Sequence, residues 1–163
     1  MEIRPGIHWV GVRDPDLEVF DVIIPTEYGT TYNSYLVEAE EPALIDGVKE
    51  EFQEEWFTKL EARIDLAKLK HLIVNHTEPD HSGSIKELLR RAPHLVVHGS
   101  RAALQFLSEQ VNMEFQGRLV GENDILDLGS RKLRFIMAPF LHWPDTIWTY
   151  LEGEGVLFTC CPV

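Results

Sequence analysis

The apolar run Leu72-Ile73-Val74 is followed at once by Asn75-His76-Thr77-Glu78-Pro79-Asp80-His81-Ser82-Gly83, which sets two imidazoles and two carboxylates within six residues. A short apolar run closed by a Pro-containing turn reads as a buried strand entering a loop. Ser84 precedes Glu87 at capping-box spacing, and Ile85, Leu88 and Leu89 continue at helical intervals. The stretch therefore predicts strand, loop and helix, with four potential ligands in the loop. Any fold for this chain must end a buried strand at that loop and leave room there for a charged group.

The donor types narrow the ion. Imidazole suits zinc, copper, iron and nickel, whereas carboxylate favours harder ions. A mixed His and carboxylate set with no thiolate points to iron or manganese before structural zinc. Neighbouring side chains diverge as a backbone turns, so two ions about 3.5–4 Å apart would share these donors better than one. The plain alternative is a solvated polar loop, which the density of donors behind a buried strand disfavours.

A chain of 163 residues is long enough for one domain with a real core. The excess of 27 acidic over 15 basic residues, a formal charge of −12, argues against a nucleic-acid partner, because phosphate contacts need Lys and Arg clusters. No apolar run approaches the roughly 18 residues of a membrane span, and no charged-then-apolar leader opens the sequence. Cytoplasmic residence without a membrane is expected. Cys160 and Cys161 are adjacent, make no disulfide framework, and fit a reducing compartment.

Along the chain, Ile7 to Val12 and Leu17 to Ile24 predict an opening hairpin. Strands are expected at Tyr32 to Val37 and Ala43 to Ile45. Phe52, Trp56, Phe57, Leu60 and Ile64 predict an amphipathic helix over Lys49 to Ile64, its aromatic stripe serving core packing. Pro93 stops the helix after the loop, Leu95 to Val97 reads as a strand, and Ser100 caps a helix carrying Ala103, Leu104 and Leu107. Four strand-like segments close the chain, at 125–128, 133–137, 146–151 and 156–159. Alternating strands and helices followed by strands indicate α/β layers, with residues 1–163 as one domain.

The motif H-x-[EH]-x-D-H after a strand resembles the metal loop of the metallo-β-lactamase superfamily. Its form here, "HTEPDHSG", resembles the flavodiiron proteins (A-type flavoproteins), as do "GTTYNSYLVE" at Gly29–Glu38, "ALID" at Ala43–Asp46 and "LHWPDTIWTY" at Leu141–Tyr150. The resemblance implies the N-terminal portion of an αββα sandwich and a non-haem di-iron centre fed by FMN that reduces dioxygen, nitric oxide or both. It places His76, Glu78 and His142 on one iron and Asp80 and His81 on the other. Trp143 either covers the site or packs beside it, and Asp145 is a candidate to orient an imidazole.

The chain departs from the family's pattern at Cys161, which stands where a bridging Asp would follow a "LFTCD"-like string, and the family's final His has no counterpart. Cys161 is either a thiolate ligand, shifting preference toward zinc, or a residue without metal contact. Losing a shared carboxylate leaves two cations less screened from each other, so the second ion is expected to bind weakly. No flavodoxin-type phosphate loop occurs, so FMN would act from a partner domain or chain. A half-sandwich leaves an apolar sheet face, for which a homodimer is expected. Beside the redox reading stand two others: a zinc-dependent hydrolase of the same superfamily, which Glu78 in place of the usual second imidazole disfavours, and a metal-binding or assembly module without catalysis.

Overall fold

A computed structural model describes residues 1–20 and 23–160, so Asp21 and Val22, inside the second opening segment, and Cys161 lie outside the described residues. The chain begins with β1 (Glu2–Arg4), β2 (Ile7–Trp9), β3 (Val12–Asp14), β4 (Val19–Phe20) and β5 (Ile24–Pro25). It continues with β6 (Thr30–Tyr32), β7 (Tyr35–Val37) and β8 (Ala43–Ile45), then α1 (Gln53–Glu61) and β9 (His71–Ile73). Next come α2 (Pro79–Ser82), α3 (Ile85–Arg91), β10 (Val96–Gly99) and α4 (Arg101–Val111). The last strands are β11 (Gln116–Leu119), β12 (Ile125–Asp127), β13 (Lys132–Met137), β14 (Ile147–Leu151) and β15 (Val156–Phe158).

A seven-stranded sheet runs in the order β1-β2-β7-β8-β9-β10-β11, and a four-stranded sheet in the order β12-β13-β14-β15. From β8 to β11 the large sheet is parallel, so each connection must cross over and carries helix. Alternation along the strands assigns side chains to two cores. Leu44, Leu72 and Val97 join Trp56, Phe57, Leu88 and Leu107 on the helix side. Ala43, Ile45 and Ile73 face Leu133, Phe135, Ile147 and Leu151 of the small sheet. Each fully buried Leu or Ile contributes about 1.5–3 kcal/mol. The layers are therefore helix, sheet, sheet, in agreement with the expected α/β class and with three layers of the αββα arrangement.

Several local expectations change. Among the described residues the opening segments do not pair with each other: β2 joins β1 and β7, β3 pairs with β6, and β4 pairs with β5. The break falls at Gly11, where a Cβ would lie 2.2 Å from the Tyr32 carbonyl oxygen, so only glycine lets the chain pass. Ser84 sits at the start of α3 without capping it, because its Oγ accepts from Val48 N at 2.9 Å. Ser100 does cap α4, accepting from Ala103 N at 3.0 Å. Within the ligand loop the chain forms the single turn α2, started by Pro79. β11 is an exposed edge strand that its Gln-Gly-Arg-Leu sequence does not announce. Among the described residues no helix is long and apolar enough to cross a membrane.

Candidate metal centre

Parallel strands gather loops at their C-terminal ends, and the ligand loop leaves β9 there beside the end of β8. Asp46, the residue after β8, takes φ +54°, a left-handed conformation that Asp tolerates better than most residues. Its Oδ1 accepts from Asn75 N at 2.7 Å, and its Oδ2 lies 3.6 Å from His81 Nδ1. One buried carboxylate thus ties the start of the loop to its helical end.

A second buried carboxylate does the same for His76. Asp145, from the turn between β13 and β14, lies 3.2 Å from His76 Nδ1 and accepts from Thr77 N at 2.8 Å and Thr77 Oγ1 at 2.6 Å. A carboxylate offers only acceptors, so it places a proton on Nδ1 and leaves Nε2 facing away from it. Burial opposes charge on both partners. The contact with Asp145 outweighs it and raises the His76 imidazole, while the hydrogen bonds from His76 and Thr77 hold the Asp145 carboxyl below its ordinary range.

His76 Nε2 and His142 Nε2 each lie 3.2 Å from the same oxygen, Oε2 of Glu78. One ligand atom from each of these three residues falls within 4.8 Å of the others. The His76 and His142 rings stand edge to face at 5.1 Å, and Trp143 meets the His76 ring edge-on at 5.2 Å. Side-chain exposure rises from 0% at His76 to 17% at Glu78 and 35% at His142, so the cluster opens to solvent on the His142 side.

Asp80 and His81 form the adjoining half. Asp80 Oδ2 lies 3.4 Å from His81 Nε2, and the His76 and His81 rings are 5.5 Å apart. Asp80 Oδ1 is buried and has no hydrogen-bond partner among the described residues. Burial raises the Asp80 carboxyl, His81 works against that rise, and Glu78 adds to it. A buried carboxylate oxygen without a donor, beside oriented imidazoles, suits a cation. A cavity of about 260 Å³ adjoins Glu78 and Asp80, its remaining wall formed by Leu17, Val19, Phe20, Tyr32, Pro79 and the cationic Lys49.

Of the residues singled out in the sequence, the structure brings His76, Glu78 and His142 together, with Trp143 against His76 and the Asp80–His81 pair alongside. Cys161 lies outside the described residues. Asp46 was missed as a partner of His81; its place at the end of the "ALID" string was the available signal.

A family model described as ODP family beta lactamase matches residues 30–160. The chain belongs to that family. This ODP-family domain is 45% identical over 164 residues to a type A flavoprotein of Rhodobacter capsulatus, an alignment covering 97% of the chain and 37% of the relative. It is 43% identical over 162 residues to a flavo-diiron protein of Clostridium acetobutylicum, covering 98% of the chain and 40% of that relative. Among solved structures, the flavodiiron protein of Giardia intestinalis superposes with a TM-score of 0.92 at 33% identity, covering 97% of the domain and 39% of that chain. Rubredoxin oxygen:oxidoreductase of Desulfovibrio gigas superposes with a TM-score of 0.92 at 30% identity, covering 96% and 39%. The domain thus spans well under half the length of these relatives, and its resemblance to flavodiiron proteins runs over nearly its whole length.

Proposed function

We propose that this domain is the non-haem di-iron unit of a flavodiiron-type oxidoreductase, reducing dioxygen, nitric oxide or both with electrons from FMN on a partner domain or chain. The observation that carries the reading is the single Glu78 oxygen 3.2 Å from two imidazole nitrogens supplied by separate turns. Relatives named flavo-diiron protein and rubredoxin oxygen:oxidoreductase support it.

In this reading His76, Glu78 and His142 hold one ion, and Asp80 and His81 hold the other. Bound iron would supply one-electron redox steps and open positions for a small gas. The protein's part is orientation. Asp145 keeps the His76 proton on Nδ1, and Asp46 backs His81 from the opposite side. Leu17, Val19 and Phe20 give the cavity an apolar part beside the charged Lys49, Glu78 and Asp80, where a small uncharged molecule could rest against the donors. A homodimer belongs to the same reading: Ile125, Arg134, Tyr150 and Leu157 align across the small sheet, and Ile125 and Leu157 are exposed at 51% and 42%.

Anaerobic iron loading followed by metal analysis and optical spectra tests the proposal. About two irons per chain are expected at saturating iron, the second taken up more weakly than the first. One zinc per chain with esterase turnover would instead establish a hydrolase, and substoichiometric metal would establish a non-catalytic module. A compact monomer at micromolar concentration in sedimentation would remove the dimer from the reading.

A further inference from the structure

Helix α4 touches both turns that carry the metal donors, one at each end. At its N-terminus the capping Ser100 donates its hydroxyl to the Asp145 carbonyl at 2.8 Å. In its last turn Gln110 Nε2 donates to the Thr77 carbonyl at 2.7 Å, between His76 and Glu78. Its Oε1 lies 2.9 Å from Ser82 Oγ at the end of α2. Eleven helical residues separate these ends by about 16 Å. Ala103, Leu107 and Val111 bury the inner face of the helix, so it cannot slide freely.

The chemistry of these contacts makes Gln110 the informative residue. Ser82 Oγ lies 2.8 Å from the Thr77 carbonyl and 3.1 Å from that of Glu78, yet a hydroxyl has one proton to donate. Gln110 gives the Thr77 carbonyl a donor of its own while accepting through its other amide atom. Thr77 is then held from both sides, by Gln110 at its carbonyl and by Asp145 at its N–H and hydroxyl.

We propose that α4 is a spacer behind the two donor-bearing turns, holding from outside the arrangement in which Asp145 meets His76 and Thr77 directly, with Gln110 as a positioning residue for His76 and Glu78. This inference rests on the metal-centre reading above and extends it to a residue that touches no metal donor. Removing Gln110 takes the amide donor from the Thr77 carbonyl, leaving only the shared Ser82 hydroxyl there, without altering any ligand.

Cobalt(II) titration of the full chain, followed by visible absorption, provides the test. Gln110→Leu removes the amide, Gln110→Glu keeps the shape but cannot donate to Thr77, and Ser108→Ala alters an exposed hydroxyl bonded only within α4. Both Gln110 variants are expected to bind cobalt about tenfold more weakly, the low end for groups outside the ligand set, with a changed band pattern. Ser108→Ala should match the parent, and all melting temperatures should agree. Parent-like cobalt affinity and spectrum in both Gln110 variants would overturn the spacer while leaving the metal centre standing. An equal loss in Ser108→Ala would assign the effect to general helix stability and overturn it as well. A parent chain that takes up no cobalt would overturn the metal-centre reading itself, and the spacer with it.

Discussion

Strand β9 begins at the buried His71 and leads into the buried His76, and the two imidazoles are used differently. Both nitrogens of His71 are taken by protein partners: Nδ1 lies 3.1 Å from His98 Nε2, and Nε2 lies 3.0 Å from Glu41 Oε2. His76 spends only Nδ1 on Asp145 and turns Nε2 toward Glu78, in a space it shares with His142. Burial of an imidazole therefore says little about metal binding. What separates the two ends is whether the second nitrogen converges with other donors. The backing group differs too, since Asp145 is fully buried whereas the Glu41 side chain is 57% exposed.

The sharpest way to break this contrast is Asp145→Ala. It strands His76 Nδ1 and two Thr77 donors in a buried setting, so chemical denaturation should show a loss of about 3–5 kcal/mol. Metal affinity should fall by about 10–100-fold. Parent-like values for both would mean that the turn is held by other contacts.

Next in size is a pH effect at the opposite end. Burial, and then the neighbouring His71 and Arg118, lower His98 to about 4. The unfolded chain, with His98 near its ordinary 6.5, takes up the proton first. Stability is thus complete above about pH 6.5 and declines as pH falls toward 4, by up to about 3 kcal/mol. Urea midpoints measured across that range, with His98→Asn as the comparison, should show a flatter profile in the variant. The smallest effect is expected for Glu41→Ala, below about 1 kcal/mol, because its carboxylate is largely solvated. A larger loss would make the two ends more alike than their exposure implies.

Much of the site was legible because its donors crowd a few positions after a buried strand, and no other stretch repeats that density. His142 was harder to read: bulky neighbours surround it in sequence, and resemblance to a family rather than spacing singled it out. Gln110 left no trace, since its partner Thr77 lies 33 positions earlier and nothing local marks the bond. Strand alternation was readable where one face was buried, as in β14, whose Ile147, Thr149 and Leu151 are buried and whose Trp148 and Tyr150 are half-buried. It failed at β11, whose four residues are all exposed. Ser84 had the right spacing for a cap, but a tertiary bond to Val48 claimed its hydroxyl.

The bond between His76 and Asp145 joins residues 69 positions apart. Closing so long a segment carries an entropic penalty that local structure cannot offset, so this pairing forms only as the two sheets come together. A growing polypeptide that has emerged only through the ligand loop would present His76 with neither its proton acceptor nor His142. Full ion capture would accordingly mark completed folding, not nucleate it.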